Sequence, residues 1–250
     1  MKRDKIYALF FRMFFGIFFL LGFYKCKSSV RTSPQEIVER SVAYHGGMEL
    51  WKASKGLSFD KEIILYDREG AIESKLVQHQ KFRYDRGLEG ELSWVKNGNR
   101  LSIVYKDKVV LKKMNDSIIT SKKELQAAKR TFFSAHYVIN QPFKLLDSLT
   151  KLSYVGIKMI EGKENYVVQV GYKNDTDLSD KWFYYFDSKT CQLIAAKVVH
   201  GAKTSMIKNL TFDKSTGLLF NKRRKSYFIK SSGEIDYLRA AYFYTNFRRY

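Results

Sequence analysis

The 250-residue sequence is poor in the residues that mark disulfide scaffolds, metal sites and flexible linkers. It contains two cysteines and two prolines. Two cysteines are too few for a disulfide scaffold or a cysteine-rich metal site. Because proline is so rare and no stretch has the composition of a linker, we predict one domain. Hydrophobic residues make up 45% of the chain, which excludes a mainly disordered protein.

Motifs for catalysis and cofactor binding are also missing. The sequence has no P-loop and no G-x-G-x-x-G, which argues against a nucleotide cofactor. Its histidines lack H-E-x-x-H or paired-cysteine spacing, which argues against a metal site. Asp175 and Asp177 have loop-like spacing without the glycine and glutamate of an EF-hand. We therefore predict no cofactor, no metal, no catalytic residue and no enzymatic activity.

One short motif has two interpretations. His45-Gly46-Gly47 is compatible with an esterase oxyanion loop, but the G-x-S-x-G nucleophile motif that accompanies such loops is absent. Glycines at this position also end helices, because they adopt left-handed conformations easily. We predict a helix end.

The N-terminus has the features of an export signal. Basic residues surround the start, and an apolar run follows whose uncharged part is Met13–Tyr24. A helix over that part would span about 18 Å, against a hydrocarbon core of about 30 Å. This length suits a signal peptide, which we place at residues 1–25.

The residues around Cys26 resemble the lipobox of bacterial lipoproteins, with Lys25 where a small residue is usual. The resemblance implies acylation of Cys26, removal of residues 1–25 and a tether over residues 26–33. An uncleaved N-terminal anchor and cleavage without a lipid are the alternatives. Residues 27–31 lack the acidic residues that surface-exposed Bacteroidetes lipoproteins carry there. We therefore expect an envelope location, lipid-anchored in the outer membrane and facing the periplasm.

The rest of the chain has the pattern of one helix followed by many strands. Ser33, Pro34 and Glu36 form a helix start with a capping box. From Leu57 onward apolar residues alternate with polar ones, and Lys61 is the exception on the apolar face of the first strand. The pattern becomes helical at about residues 121–149 and then returns to strands, about eleven in all.

So many sequential antiparallel strands curl or close rather than lie flat. We predict a mainly β (α+β) fold, a curled antiparallel meander or incomplete β-barrel with helices plugging its concave face. It forms a single half-barrel domain over residues 34–250.

The strands are rich in aromatic residues, which make up 16% of the chain. Core packing explains many of them, but a curved sheet covered by helices can also leave an apolar cavity. The candidates for lining such a cavity are Trp94, Phe132, Trp182, Tyr184, Phe186 and Phe220.

The formal net charge of +20 predicts attraction to anionic surfaces. Candidates for contact with lipid headgroups are Lys222, Arg223, Arg224 and Lys225. Lysines on strands also protect sheet edges from aggregation, which is the alternative. Nucleic acid is not an expected partner, because export separates the protein from it.

The order of helix, meander, helical insertion and meander resembles the bacterial lipoprotein-localisation factors. Three short segments, Tyr44–Trp51, Leu57–Phe59 and Asp187–Thr190, resemble a mostly Bacteroidetes branch of such envelope proteins. The resemblance implies a half-barrel with a helical cover over an apolar cavity. We therefore expect a membrane-anchored lipoprotein that binds a lipid or acylated partner without catalysis. The alternative is a structural or scaffolding protein that docks an envelope protein partner through its basic face.

Overall fold

A computed structural model describes residues 33–173, 175–176 and 179–250. The predicted signal peptide, the predicted lipidation at Cys26, the tether up to residue 32 and Asp177 lie outside the described residues.

The described residues form three α-helices, one 3₁₀ helix and thirteen strands. The helices are α1 (Pro34–Tyr44), α2 (Met48–Lys52), α3 (Lys122–Ile139) and the 3₁₀ helix (Phe143–Leu146). The first seven strands are β1 (Gly56–Tyr66), β2 (Ile72–Arg83), β3 (Glu89–Lys96), β4 (Asn99–Lys106), β5 (Val109–Met114), β6 (Ser117–Ile118) and β7 (Thr150–Ile160). The remaining strands are β8 (Lys163–Tyr172), β9 (Lys181–Asp187), β10 (Leu193–His200), β11 (Lys203–Asp213), β12 (Phe220–Ile229) and β13 (Ile235–Arg249).

All thirteen strands belong to one antiparallel sheet. Its order is β6-β5-β4-β3-β2-β1-β13-β12-β11-β10-β9-β8-β7. Strands that follow one another in sequence are neighbours in the sheet, except β6 and β7, and the first strand β1 also pairs with the last strand β13. The strands β6 and β7 form the two edges and do not pair with each other, so the sheet is not closed. The prediction of an incomplete barrel built from a meander is confirmed, with thirteen strands rather than about eleven.

The helical insertion connects the two edges of the sheet. Because β6 ends at one edge and β7 begins at the other, the chain between them must pass across the open side. That segment contains α3 and the 3₁₀ helix, and α3 lies against β4 and β5. Together with α1, which contacts β7 and the 3₁₀ helix, they form what we call the helical cover.

The first helix begins and ends as its sequence predicts. The Ser33 hydroxyl accepts a hydrogen bond from the Glu36 amide at 3.0 Å. At the other end Gly46 and Gly47 have φ of +110° and +89°. A Cβ on Gly46 would lie 2.8 Å from the Gly217 carbonyl oxygen, so glycine is required there. His45-Gly46-Gly47 is a helix end packed against the strand connection before β12.

Two apolar clusters hold the helical cover on the sheet. The first joins Phe132 and Phe143 to β1–β4 and β12–β13, and includes the fully buried Phe59 and Phe82. The second joins Ile37 and Val38 of α1 to β8, β9 and β10. Trp51 of α2 stacks on Phe143, with 5.5 Å between ring centroids. Within the described residues, no helix combines the length and apolar character needed to span a membrane.

Candidate functional site

Polar contacts fix the C-terminal end of α3 to α2 and to the sheet. The Trp51 indole Nε1 donates to Asn140 Oδ1 at 2.9 Å, and Asn140 Nδ2 donates to the His136 carbonyl oxygen at 2.8 Å. Gln141 Nε2 donates to the buried Tyr184 hydroxyl at 2.9 Å. These hydrogen bonds satisfy the buried amides of Asn140 and Gln141 and fix the position of α3.

Beside this attachment, a cavity of about 240 Å³ lies between the helical cover and the concave face of the sheet. We call it the concave cavity. One wall is formed by Val138 of α3 and by Gln141, and the others by β1 and β9–β13. Its apolar lining is Val138, Trp182, Ala196, Val198, Ile207 and the rings of Tyr242 and Tyr244. Its polar lining is Lys61, Gln141, Ser205, Arg224 and Ser226. Because Lys61, Trp182 and Tyr242 are only half-buried, the cavity is not sealed from solvent.

Two cations contribute to this lining from adjacent parts of the sheet. Arg224 of β12 is 6% exposed, and its Nε donates to Asn209 Oδ1 at 2.9 Å. The Lys61 ammonium of β1 lies 5.1 Å from the ring centroid of Tyr242 and 5.6 Å from that of Tyr244. Cation–π contacts of this kind stabilise a partly desolvated ammonium. The cavity therefore combines an apolar wall with a positive one.

The six aromatic candidates occupy different environments. Trp182 lines the concave cavity. Trp94 is half-buried and packs against the first apolar cluster. The other four are core residues, namely Phe132, Tyr184, Phe186 and Phe220, each at most 2% exposed. Core packing, the alternative that the sequence left open, describes these four, and a ligand contact stays a prediction for Trp182 and Trp94.

The four basic candidates do not form one external patch. Lys222 and Arg223 are exposed and Lys225 is half-buried. Arg224 lies in the concave cavity, because alternate residues of β12 point to opposite faces of the sheet. A membrane contact through all four side chains is therefore incompatible with this arrangement, and it stays a prediction for the other three.

Comparisons with known proteins identify the family. The model of a family of unknown function, DUF6503, matches residues 12–202. The chain belongs to DUF6503. Among curated proteins, none matches the sequence.

Solved structures show which fold this DUF6503 chain shares. A DUF1329 family protein from Desulfovibrio piger has a TM-score of 0.56 and 9% identity, covering 87% of this chain and 93% of its own. A LolA superfamily protein from Nitrosomonas europaea has a TM-score of 0.54 and 9% identity, and the match covers 86% of this chain and 93% of that protein. A putative outer membrane lipoprotein-sorting protein domain from Vibrio parahaemolyticus has a TM-score of 0.52 and 10% identity, and the match covers 87% of this chain and 92% of that domain. The fold is LolA-like, an open barrel.

The described part of this DUF6503 chain contains no cluster of side chains suited to binding a metal ion. Groups of three or more His, Cys, Asp or Glu residues that could hold a metal ion do not occur there. The two buried histidines, His45 and His136, have no carboxylate within 4.0 Å among the described residues. His45 Nδ1 contacts the Ser41 carbonyl oxygen at 2.8 Å, and the His136 ring packs against Phe82. Both are structural histidines of the core.

These two histidines predict a pH-dependent stability. Burial lowers the pKa of His45 and of His136 from 6.5 to about 4, and the nearby Lys144 adds to the effect at His136. Between pH 6.5 and about 4 the unfolded chain binds protons at these histidines more readily than the folded chain does. The contribution of the neutral histidines to the free energy of unfolding is therefore fully present above pH 6.5 and is lost as the pH falls toward 4. Each histidine accounts for about 3 kcal/mol of that loss.

Urea unfolding at several pH values in this window measures the effect. We expect His136→Gln to reduce the loss of unfolding free energy by about 3 kcal/mol. The control is His79→Gln, since His79 is exposed on β2 and hydrogen-bonds Asp60 at 2.8 Å. If both variants reduced the pH dependence of the unfolding free energy equally, burial of His136 would not be its cause.

Of the twelve residues that line the concave cavity, sequence patterning named only Trp182 and Arg224 as candidates, and it contained a sign of a third, Lys61. Lys61 interrupts the apolar face of β1, and the structure places it at the cavity. Tyr244 is 2% exposed and lies beside it. Because β1 and β13 are far apart in sequence, no local pattern shows that these residues meet.

Proposed function

We propose that this protein binds a lipid or acylated partner in the concave cavity and does so without catalysis. The observation that carries the proposal is an unsealed cavity with an apolar wall, formed where the helical cover meets the sheet. Concave, largely apolar sites with a few polar groups are the usual setting for small amphiphilic ligands. The LolA-like fold, which is similar to that of the Vibrio parahaemolyticus lipoprotein-sorting domain, supports such a role.

The size of the cavity bounds what it holds. Its 240 Å³ lies just below the range of about 300–1,000 Å³ common for ligand pockets. It accommodates one end of an amphiphile, and a long chain extends through the unsealed side past Lys61 and Trp182. Val138 of α3 forms part of the wall, so a small displacement of α3 enlarges the space.

The proposal includes a location in the cell envelope. A signal peptide over residues 1–25, acylation of Cys26 and a short tether would place the cavity next to a membrane. The anchor would lie in the outer membrane and face the periplasm. Exposed Lys222 and Arg223, with half-buried Lys225, are available to anionic headgroups in that setting.

Mass spectrometry of the full chain purified from membranes tests the proposal with two measurements. Native spectra are expected to show the protein with one bound amphiphile, and denaturing spectra to show a chain that begins at an acylated Cys26. A homogeneous ligand-free protein that takes up no hydrophobic dye would contradict lipid binding. An intact Met1 would contradict the lipoprotein assignment.

A second candidate is a scaffolding role, in which the exposed basic residues dock an envelope protein. It is favoured by the close packing of Phe132, Tyr184, Phe186 and Phe220 in the core, which leaves them no ligand to contact. Chemical crosslinking in cells separates the two candidates. One protein crosslinked stoichiometrically to a lipid-free chain supports scaffolding, and a lipid-loaded chain without such a partner supports the first proposal.

A further inference from the structure

The cations of the concave cavity have no anionic counterpart in the protein. Among the described residues, neither Lys61 nor Arg224 has a carboxylate within 4.0 Å. Arg224 is 6% exposed, with the neutral Asn209 amide oxygen as the partner of its Nε. Buried charges are normally paired, because desolvation of an unpaired ion is costly. An arginine this deep in the fold therefore indicates an anion that binds from the cavity.

Tyr244 lies close to both cations, Lys61 and Arg224. Its ring lies under the Lys61 ammonium, and it is 2% exposed. Burial opposes ionisation of its hydroxyl, yet the positive charges of Lys61 and Arg224, with hydrogen bonds from both, hold the pKa of Tyr244 below its ordinary value. Lys61 and Arg224 therefore both act on this one hydroxyl, which lies at the lining of the concave cavity.

The neighbouring wall of the cavity is apolar. Trp182, Val198 and Ile207 lie on successive strands of the concave face, and Val138 covers them from α3. An acyl chain packs against such a surface through the hydrophobic effect. A free inorganic anion gains nothing from it.

We infer that the concave cavity selects an amphiphile with a small anionic head, a carboxylate or a phosphate, which binds between Arg224 and Lys61 while its acyl chain lies along Trp182 and Val198. This inference rests on the proposed function and specifies its ligand class. Arg224 supplies the planar donor pair suited to such heads, and Lys61 supplies a point charge.

Binding measurements with matched probes test the inference. Dodecanoate and dodecyl phosphate carry the anionic head, and dodecanol has the same chain without charge. We expect the full chain to bind the two anions about tenfold or more tightly than the alcohol, since a hydrogen bond to a charged group accounts for at least that factor. Inorganic phosphate at equal concentration is expected not to displace dodecanoate.

Single substitutions test which side chains cause the preference for an anionic head. Arg224→Gln is expected to lower the affinity for dodecanoate about tenfold and to leave dodecanol binding unchanged. Lys61→Gln, at a half-buried position, repeats the test if Arg224→Gln fails to fold. The matched control is Lys197→Gln, because Lys197 of β10 is a half-buried cation that lies over the Phe183 ring on the face of the sheet away from the cavity. It is expected to change neither affinity.

The outcomes separate this inference from the proposed function. If the wild-type chain binds none of the three amphiphiles, the proposed function fails. If it binds all three equally and Arg224→Gln has no effect, lipid binding stands and anion selectivity is wrong. Displacement of dodecanoate by inorganic phosphate would also overturn the inference, because the site would then be one for a free anion.

Discussion

Replacing Phe132 by alanine is expected to lower the free energy of unfolding by about 3–5 kcal/mol. Phe132 is the residue of α3 that inserts most deeply into the sheet, with no exposed surface. Its ring centroid lies 5.5 Å from that of Phe82 on β2 and 5.0 Å from that of Tyr105 on β4. Truncation leaves a cavity between α3 and the sheet, so the variant loses both transfer free energy and packing contacts.

The adjacent residue provides a matched control. Phe133 lies on the same helix and its ring centroid is 5.0 Å from that of Tyr105, but Phe133 is only half-buried. We expect Phe133→Ala to lower the free energy of unfolding by about 1 kcal/mol. Urea unfolding followed by circular dichroism gives both values. A Phe133→Ala variant less stable than Phe132→Ala would show that α3 is attached differently.

The same comparison reports on the concave cavity. Since α3 supplies Val138 to its wall, loosening α3 exposes the apolar residues beneath. Phe132→Ala is therefore expected to bind a hydrophobic dye more strongly than the wild type does, in native buffer. Unchanged dye binding, together with the predicted loss of stability, would mean that the cavity keeps its shape without tight packing of α3.

Local patterns in the sequence predict much of this fold. Alternating polarity predicts the strands, the Ser33 cap predicts the start of α1, and two glycines predict its end. The change to helical periodicity near residue 121 predicts the insertion that contains α3. These features depend on residues close together in the chain, so a sequence pattern captures them.

The pairing of β1 with β13 has no local basis. It joins residues such as Ile63 and Tyr242, and it decides that Lys61 meets Tyr244. The strand β6 has two residues, which is too short for an alternating pattern. Such features depend on strand pairing between residues far apart in the chain and appear only in the structure.

The side on which a residue lies is the other feature that composition obscures. Both Tyr184 and Tyr185 are buried, but on opposite faces of β9, in separate apolar clusters. In the run from Lys222 to Lys225 four basic residues look equivalent, and only Arg224 enters the concave cavity. Where adjacent residues have the same chemistry, period-two patterning cannot assign them to faces.

The most direct test of ligand binding in the concave cavity is to fill the cavity without altering the rest of the sheet. Val198 lines it, and its cross-strand neighbours Trp182 and Ser205 line it too. The next residue, Val199, is also half-buried but points to the other face of β10. Val198→Trp occupies the cavity, and Val199→Trp places the same ring outside it.

The measurement is the affinity for dodecanoate of the wild type and both variants, with thermal unfolding to confirm that each is folded. We predict that Val198→Trp lowers the affinity about a hundredfold or abolishes binding, since the ring takes the space of the acyl chain. Val199→Trp is predicted to bind as the wild type does. Undiminished binding by a folded Val198→Trp variant would contradict the claim that the concave cavity is the ligand site.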